Sequence, residues 1–269
     1  MSAAEAARAV EFTASKMTWI EGNRGKKPDP NDVRLLCTKA YGLDETKKDD
    51  AAVIEYLVQL ARDGRKKGWW DSYSDALPSP YENYVGLETG AASVLAFELG
   101  MIHGLLQTEA YARAIVEAGS PEITARQTED RVEVRMKRQE ALRQDPPLRL
   151  VAVMDEAVLH REVGGPQVMR EQLQHLMNLA EELPRVTIQV IPYGFGAHFS
   201  MTNGFAIIQF PEPGDPDVVY VENGSGGLWL ENDSEITAHH QAFQHLLGAA
   251  NNTRATIEMI ARIARIAKS

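Results

Sequence analysis

The sequence predicts an α+β protein, in which a small all-α head precedes a larger mixed α/β body with a short mixed sheet. Three observations support this fold class. Residues 1–67 show helical periodicity, a stretch rich in proline and aromatic residues interrupts the chain at 68–87, and strands alternate with helices after it. We therefore predict three parts: a head at 1–67, a connector at 68–87 and a body at 88–269.

The head begins with two short predicted helices separated by a three-residue turn. Residues 3–10 are rich in alanine, and a second helix follows at 14–22 with Thr13 as its N-cap. Met17 and Ile20 share one face of the second helix and would pack into a small core. This order is typical of a truncated helix-turn-helix, whose second helix enters the major groove of DNA.

The outward face of the second helix and the basic residues after it form the candidate DNA-binding surface. The residues that we expect to contact DNA are Thr13, Ser15, Lys16, Thr18, Arg24, Lys26 and Lys27. Because three charges after the helix release few counterions, strong binding would need a homodimer. A solvated loop is the alternative interpretation of these basic residues.

Two further helices are predicted to close the head. Asn31 or Asp32 would cap a helix that ends before Gly42, and Asp44 would open a longer helix that ends in cations at 62–67. Cys37 lies on the apolar face of the first of these helices, which indicates a buried structural thiol.

The connector and the first part of the body carry aromatic and charged residues. The aromatic residues of the connector could stack on bases, line a ligand site or pin the linker to its neighbouring domain.

Helices are expected at 88–98, 106–118 and 121–144. The third is so rich in paired charges that we expect it to be mostly exposed.

Strands are predicted in the second part of the body. A strand at 148–154, a helix at 166–182 and a strand at 186–191 indicate a crossover unit with parallel pairing. Short strands at 205–210, 218–221 and 228–231 are separated by turn residues and should pair antiparallel. Two helices end the chain, and the last could dock on its own domain or on a second subunit.

A candidate ligand pocket lies where an aromatic segment faces these short strands. Aromatic side chains with a few polar groups at strand ends are typical of small-molecule sites, although they also occur at the edge of a core. The residues of this candidate pocket are Tyr193, Phe195, His198, Phe199, Tyr220, Glu222 and Trp229.

Motifs for catalysis, metals and cofactors are missing from the sequence, so we predict no catalytic residues, no metal and no cofactor. His239, His240 and His245 are spaced so that they fall on different helix faces. Asp155 and Glu156 with His160 could in principle perform acid–base chemistry, but Asp155 is more simply a helix cap after a strand.

Composition and charge limit the classes of protein to which the chain can belong. The chain has 269 residues and a net charge of −10, yet residues 1–70 hold 13 lysines and arginines against 11 acidic residues. A mildly basic head on an acidic body is compatible with DNA contact by the head. No apolar run is long enough for a membrane span, and a single cysteine fits a reducing cytoplasm.

Residues 15–24, with the sequence SKMTWIEGNR, are followed by Lys27 and Pro28. This stretch resembles the core motif of lambda-repressor-like regulators of the xenobiotic-response-element type. Three features depart from that pattern: the helix that precedes the motif in the family is missing, Ala3 replaces a usual glutamine, and Trp19 replaces a usual arginine.

The body resembles the large C-terminal domain of uncharacterised function that follows this motif in many actinomycete regulators. The segments that carry the resemblance are 68–70, 84–88, 104–109, 154–157, 163–166 and 210–222. The family is described as antitoxin-like, and the resemblance implies a small acidic partner protein encoded nearby.

Two functions therefore stand as hypotheses. The first is a cytoplasmic, homodimeric regulator that binds double-stranded DNA and carries a C-terminal domain for sensing a small-molecule ligand or binding a partner. The second is a degenerate regulator without DNA binding, whose C-terminal domain binds a small molecule or acts as an enzyme, for example a cyclase, in an apolar cavity.

Overall fold

A computed structural model describes residues 1–21, 28–120, 122–212, 214–223 and 226–266. Within these ranges, the side-chain environments of eight residues are not described: Thr18, Trp19, Glu21, Ser79, Pro80, Asn223, Gly226 and Ile266. The chain forms two compact units, Met1–Trp69 and Trp70–Ser269. The division falls within a 3₁₀ helix at Trp69–Tyr73.

The first unit is helical, and polar side chains set the starts of its helices. The helices are α1 (Ala3–Ala9), α2 (Ala14–Glu21), α3 (Pro30–Leu35), a π-helix (Leu36–Ala40) and α4 (Lys48–Arg65). Thr13 Oγ1 accepts a hydrogen bond from the backbone N–H of Lys16 at 3.1 Å, which confirms the predicted N-cap of α2. The turn before α2 places Glu11 at a φ of 55°.

Two predicted caps in this unit were wrong. Asp29, and neither Asn31 nor Asp32, caps α3, because its carboxylate accepts from the backbone N–H of Asn31 at 2.9 Å. Asp44 does not open α4. Its side chain instead bonds Thr46 in a local turn, and the helix begins four residues later.

Small apolar residues hold the first unit together. Ala6, Ala7, Val10 and Met17 pack with Leu36 and Ala40, and Ile20 and Phe12 lie against this cluster. Cys37 is buried against Ile54 and Val58 of α4, as the apolar helix face predicted. The predicted helical core of the head is thus confirmed.

The second unit is a mixed sheet covered by helices. Its strands are β1 (Ser93–Glu98), β2 (Arg149–Asp155), β3 (Val186–Ile191), β4 (Phe205–Gln209), β5 (Val218–Asn223) and β6 (Gly226–Leu230). Its α-helices are α5 (Ser79–Thr89), α6 (Glu109–Gly119), α7 (Ala125–Arg138), α8 (Ala157–His160), α9 (Pro166–Glu182), α10 (Asp233–Ala249) and α11 (Thr253–Ile266). Short 3₁₀ helices lie at Gly104–Leu106, Gln139–Leu142 and Tyr193–Phe195.

The described part of the chain forms one six-stranded sheet in the order β3-β2-β1-β4-β5-β6. β1, β2 and β3 pair in parallel, and β4, β5 and β6 continue the sheet in antiparallel pairs. The parallel crossover from β2 through α9 to β3 and the antiparallel pairing of the three later strands were both predicted. The predicted α+β class with a short mixed sheet is confirmed.

Alternate residues of the strands face two cores. On one face, Val94 and Ala96 of β1 pack with residues of α9 and α11. On the other, Leu95 and Phe97 pack with Phe243 and other residues of α10. Because β1 has a neighbouring strand on each side and a helical layer over each face, its four central residues, 94–97, are all apolar.

The predicted helix at 88–98 was wrong, since residues 93–98 form β1. A short apolar run fits a buried strand and a buried helix equally well, and pairing with β2 and β4 decides the outcome. The charged helix predicted at 121–144 is α7 and the 3₁₀ helix after it. It is not exposed throughout, because Arg138 at its end is only 5% exposed.

Candidate functional site

A cavity of about 530 Å³ opens at the carboxyl end of β1, within the second unit. It lies where the chain order of the sheet reverses: β2 and β3 extend to one side of β1, and β4 to β6 extend to the other. Such switch points are the usual place for ligands in open sheets. The residues of the cavity wall include Tyr81, Tyr84, Phe97, Glu98, His103, Arg135, Arg138, Phe205, Tyr220 and Glu222.

A buried ion pair supports one side of the cavity. Arg138 Nε and Nη2 each donate to a carboxylate oxygen of Glu88 at 2.7 Å, and both side chains are almost fully buried. Arg138 Nη1 donates to the Tyr81 hydroxyl, and the guanidinium carbon lies 5.2 Å from the ring centre of Tyr84. This two-pronged pair anchors α7 to α5 beside the cavity.

Arg135 brings a second guanidinium to the cavity, one turn earlier on α7. Its Nη1 donates to Gln107 Oε1 at 2.8 Å, and Gln107 in turn donates to the carbonyl of Ile102. Its Nε is buried and has no hydrogen-bond partner among the residues that the structure describes. The loop after β1 is thereby tied to α7.

Glu98 is the last residue of β1, and its side chain keeps 24% of its surface exposed. The pKa of Glu98 is raised to about 8, mainly by burial and then by the negative charge of Glu222, while Arg135 and Arg138 oppose the shift. At neutral pH this side chain is therefore mainly a neutral carboxylic acid.

His103 lies opposite Glu98, and its side chain is 4% exposed. Its Nδ1 accepts a hydrogen bond from the backbone N–H of Leu105 at 3.3 Å, so His103 caps the short helix Gly104–Leu106. The pKa of His103 is lowered to about 3, mainly by burial and then by the positive charges of Arg138 and Arg135. The ring is therefore neutral at physiological pH.

The segment that contains this cavity matches a known family. Residues 81–262 match the family described as Domain of unknown function (DUF5753). The match covers more than half of the chain. The chain belongs to the DUF5753 family. No curated protein and no solved structure matches the chain.

Every residue of the cavity wall falls inside the DUF5753 segment, from Tyr81 to Glu222. Two residues of the predicted pocket, Tyr220 and Glu222, lie in this wall. Trp229 packs on Tyr220 with ring centres 4.5 Å apart and also stacks near Tyr84. These three residues are brought together around the β5–β6 edge of the cavity.

The other four residues of the predicted pocket lie elsewhere. Tyr193, Phe195 and Phe199 are more than half exposed, and none of them lines the cavity. His198 is buried: its Nε2 lies 3.2 Å from Asp155 Oδ2, and its Nδ1 lies 2.7 Å from the carbonyl oxygen of Phe199. The structure therefore separates the residues of the predicted pocket into two groups, because the segment 193–199 and the strands β5 and β6 face different parts of the second unit.

The predicted acid–base group at the end of β2 has structural partners. Asp155 accepts from the backbone N–H of Ala157 at 2.8 Å, but the N-cap of α8 is Glu156, so the predicted cap at Asp155 was wrong by one residue. Glu156 lies 3.1 Å from His160 Nε2 and accepts from the backbone N–H of Tyr193 at 2.7 Å. These contacts tie the loop after β3 to the loop after β2.

Part of the predicted DNA-binding surface can be placed in the first unit. Thr13 and Ser15 are exposed at the start of α2. Lys16 Nζ forms an ion pair with Asp32 at 2.7 Å and lies over the ring of Phe12, so its charge is partly compensated. The side chain of Thr18, together with Arg24, Lys26 and Lys27, lies outside the described residues.

Within the described ranges, no group of three histidine, cysteine or acidic side chains is arranged to hold a metal ion. His239 bonds the backbone of its own helix and His240 contacts Asp217. No helix in the described part of the chain is both long and apolar enough to cross a membrane.

Sequence reasoning missed the central residues of the cavity: Glu98, His103, Arg135 and the Glu88–Arg138 pair. A detectable signal exists for Glu98, since a carboxylate that follows four apolar strand residues, 94–97, lies at the usual ligand edge of a sheet. Predicting a helix at 88–98 concealed this signal. The Glu88–Arg138 contact joins residues fifty positions apart, and no local pattern indicates it.

Proposed function

We propose that this protein is a DNA-binding transcriptional regulator whose DUF5753 domain binds a small molecule. The observation that carries the proposal is the cavity of about 530 Å³ at the switch point of the sheet. Its volume lies in the usual range for small-molecule sites. Aromatic walls with a few ionisable groups supply both the apolar contact and the polar specificity that such sites need.

The first unit supports the DNA-binding part of the proposal. α1, a tight turn and α2 follow one another in the order of a helix-turn-helix, and the start of α2 leaves Thr13 and Ser15 free to contact a phosphate or a base edge. Lys16 would have to exchange its ion pair with Asp32 for a phosphate.

A homodimer belongs to the same proposal. Val53, Leu57 and Leu60 of α4 are 37–47% exposed and share one side of the helix, which a second copy could cover. The resemblance of the body to antitoxin-like regulators adds a small acidic protein as a further proposed partner, and a cytoplasmic location fits both partners.

Fluorescence anisotropy with the DNA upstream of the chain's own gene tests the regulator function. We expect binding that weakens as salt is raised, because phosphate contacts release counterions. Ser15→Glu should weaken binding about tenfold by placing a negative charge against the DNA backbone. Ser74→Glu, at an exposed serine of the second unit, is the matched control and should leave affinity unchanged. Undetectable or salt-insensitive binding would contradict the proposal.

The second candidate is a DUF5753 domain that acts without DNA, as a binding protein or as an enzyme such as a cyclase. Glu98 favours it, because a carboxylic acid with a pKa of about 8 can both donate and accept a proton near neutral pH. Loss of DNA binding in the anisotropy experiment, together with retained binding of a small molecule in the cavity, would select this candidate.

A further inference from the structure

Two polar side chains in the cavity wall lack the hydrogen bonds that buried polar groups normally make. Glu98 has no hydrogen-bond partner among the described residues, and neither does His103 Nε2. The distance between His103 Nε2 and Glu98 Oε1 is 3.9 Å, which is too long for a hydrogen bond. Both residues line the cavity, and the Glu98 side chain is 24% exposed, so a molecule that enters the cavity can pair with both groups.

The hydrogen bond at the other ring nitrogen determines what His103 offers to that partner. Because Nδ1 accepts from Leu105 N–H, the proton of the neutral ring must lie on Nε2. His103 is 3% exposed and lines the cavity, so Nε2 points a hydrogen-bond donor into it. Its low pKa keeps this donor uncharged across the physiological range.

Glu98 offers a second donor beside the first. With a pKa of about 8, its carboxyl group is mainly protonated at pH 7 and can donate its O–H. The titratable and charged groups around it belong to α5, α6, α7, β5 and the loop after β1; they are Tyr84, Tyr111, Arg135, Arg138, Glu222 and His103. Two donors separated by 3.9 Å can both reach one acceptor placed between them.

The rest of the wall determines the character of the ligand. Tyr84, Phe205 and Tyr220 line the cavity and are 6–8% exposed, whereas Phe97 and Ile102 lie in its wall but are fully buried. Arg138 is already neutralised by Glu88, which leaves it little capacity to bind an anion. An organic cation would be opposed by the His103 N–H and the nearby guanidinium of Arg135, while the carboxylate of Glu222 in the wall would attract it, so these charges do not favour a cation strongly.

We infer that this cavity binds a ring-containing molecule with a carbonyl group, whose oxygen accepts hydrogen bonds from both Glu98 and His103. The inference rests on the proposed small-molecule function and specifies the ligand class for the same cavity. Neutral donors suit a carbonyl oxygen because they avoid the desolvation cost of burying a charge.

Three naphthalene probes of matched shape test the inference by equilibrium dialysis against the full chain at pH 7. Acetonaphthone carries the carbonyl, isopropylnaphthalene is its apolar counterpart, and naphthylethylamine is the cationic counterpart, all substituted at the same ring position. We expect acetonaphthone to bind at least about tenfold more tightly than either counterpart, because they leave both donors unpaired.

Variants and pH separate a hydrogen-bonding role from a structural one. Glu98→Gln keeps an N–H donor and should retain acetonaphthone binding, whereas Glu98→Leu should weaken it about tenfold. Wild-type affinity should fall as pH rises through about 8, since ionised Glu98 no longer donates, and the affinity of Glu98→Gln should not. His160→Phe, at a partly exposed histidine outside the cavity, is the control and should bind like the wild type.

Each other outcome overturns the inference in a distinguishable way. Tighter binding of naphthylethylamine, or affinity that rises with pH, would replace the carbonyl ligand with a cation. Equal binding of isopropylnaphthalene would show that the two donors do not recognise the ligand, while the small-molecule function would stand. Retention of none of the probes would reject the carbonyl site and count against the small-molecule function as well.

Discussion

Two histidine–carboxylate pairs in the second unit have opposite characters. His198 and Asp155 are 3.2 Å apart, and both ring nitrogens of His198 face oxygen acceptors. His103 and Glu98 are 3.9 Å apart, and each has an unpaired polar group that faces a cavity. Both histidine side chains are buried to a similar degree. The two pairs therefore differ in whether their hydrogen bonds are satisfied, and not in burial or residue type. We interpret the first as a structural pair and the second as a candidate binding pair.

Phe97 lies between the two neighbourhoods. Its ring meets His198 edge-on with centres 5.4 Å apart, and the same residue forms part of the cavity wall. The structural pair thus supports the wall against which a ligand would pack. One side of the site is held by hydrogen-bonded residues, and the other side carries unpaired polar groups. The site is therefore organised before a ligand binds.

The largest expected effect comes from the fully paired contact beside the cavity. Arg138→Met should lower the free energy of unfolding by about 3–5 kcal/mol, because it leaves the buried carboxylate of Glu88 without a partner. Urea denaturation measures the loss. Arg126→Met on the same helix, where the side chain is 92% exposed, should change stability by less than about 0.5 kcal/mol. Similar losses in both variants would contradict this assignment.

Removing each carboxylate in turn tests the comparison directly. Asp155→Ala should cost about 1–3 kcal/mol of stability, since it leaves His198 and the Ala157 N–H without their acceptor. Glu98→Ala breaks no hydrogen bond among the described residues and should cost less than about 1 kcal/mol. Thermal and urea unfolding of the two variants would compare them, and an equal or reversed order would abolish the distinction.

The pH dependence of stability provides a third comparison. The folded-state pKa of Glu98 is about 8 against an ordinary value of 4.5, so the folded chain holds its proton longer and stability falls as pH rises between these values. His103 has the opposite effect on stability. Between its folded pKa of about 3 and its ordinary value of 6.5, stability falls as pH falls. The effect of Glu98 is therefore clearest from about pH 6.5 to 8.

As pH rises from about 6.5 to 8, the free energy of unfolding of Glu98→Gln should increase by about 1–2 kcal/mol relative to that of the wild type. Above about pH 8 this difference should stay constant. Urea denaturation of both proteins at several pH values measures the difference. A difference that stays constant with pH would mean that Glu98 ionises normally in the folded protein.

The smallest effect is expected at a third histidine–carboxylate pair, which is exposed. His160 lies 3.1 Å from Glu156, but its side chain is 44% exposed, and water screens the contact. His160→Ala should change the free energy of unfolding by less than about 1 kcal/mol. A larger loss in urea denaturation would show that the stacking of His160 on Tyr193, with centres 5.6 Å apart, contributes more than expected.

Much of the element order could be predicted because it depends on short-range patterns. Helix α9 and strand β3 have the predicted bounds, and Thr13 caps α2 as its position before the helix indicated. Failures occurred where short-range patterns are ambiguous. β1 was predicted as helix because its four consecutive apolar residues, 94–97, show neither helical nor strand periodicity.

The candidate site was less predictable than the fold. Tyr220 and Glu222 were assigned to a pocket because aromatic and acidic residues follow one another on a strand, and both lie in the cavity wall. Tyr193, Phe195 and Phe199 were grouped with them on composition alone, although they lie at the surface. Sequence composition identifies residue types that suit a ligand, but it contains no information on which strand ends share an edge.

The sequence by itself determined the division into a helical head and an α/β body, the parallel crossover and the antiparallel strands after it, because periodicity, caps and turns act over a few residues. The tertiary structure alone decided that β1 is central, that Glu88 pairs with Arg138, and that Glu98 and His103 Nε2 lie at one cavity without hydrogen-bond partners among the described residues. Burial and charge proximity set the protonation of those last two residues, and both arise from contacts between distant segments.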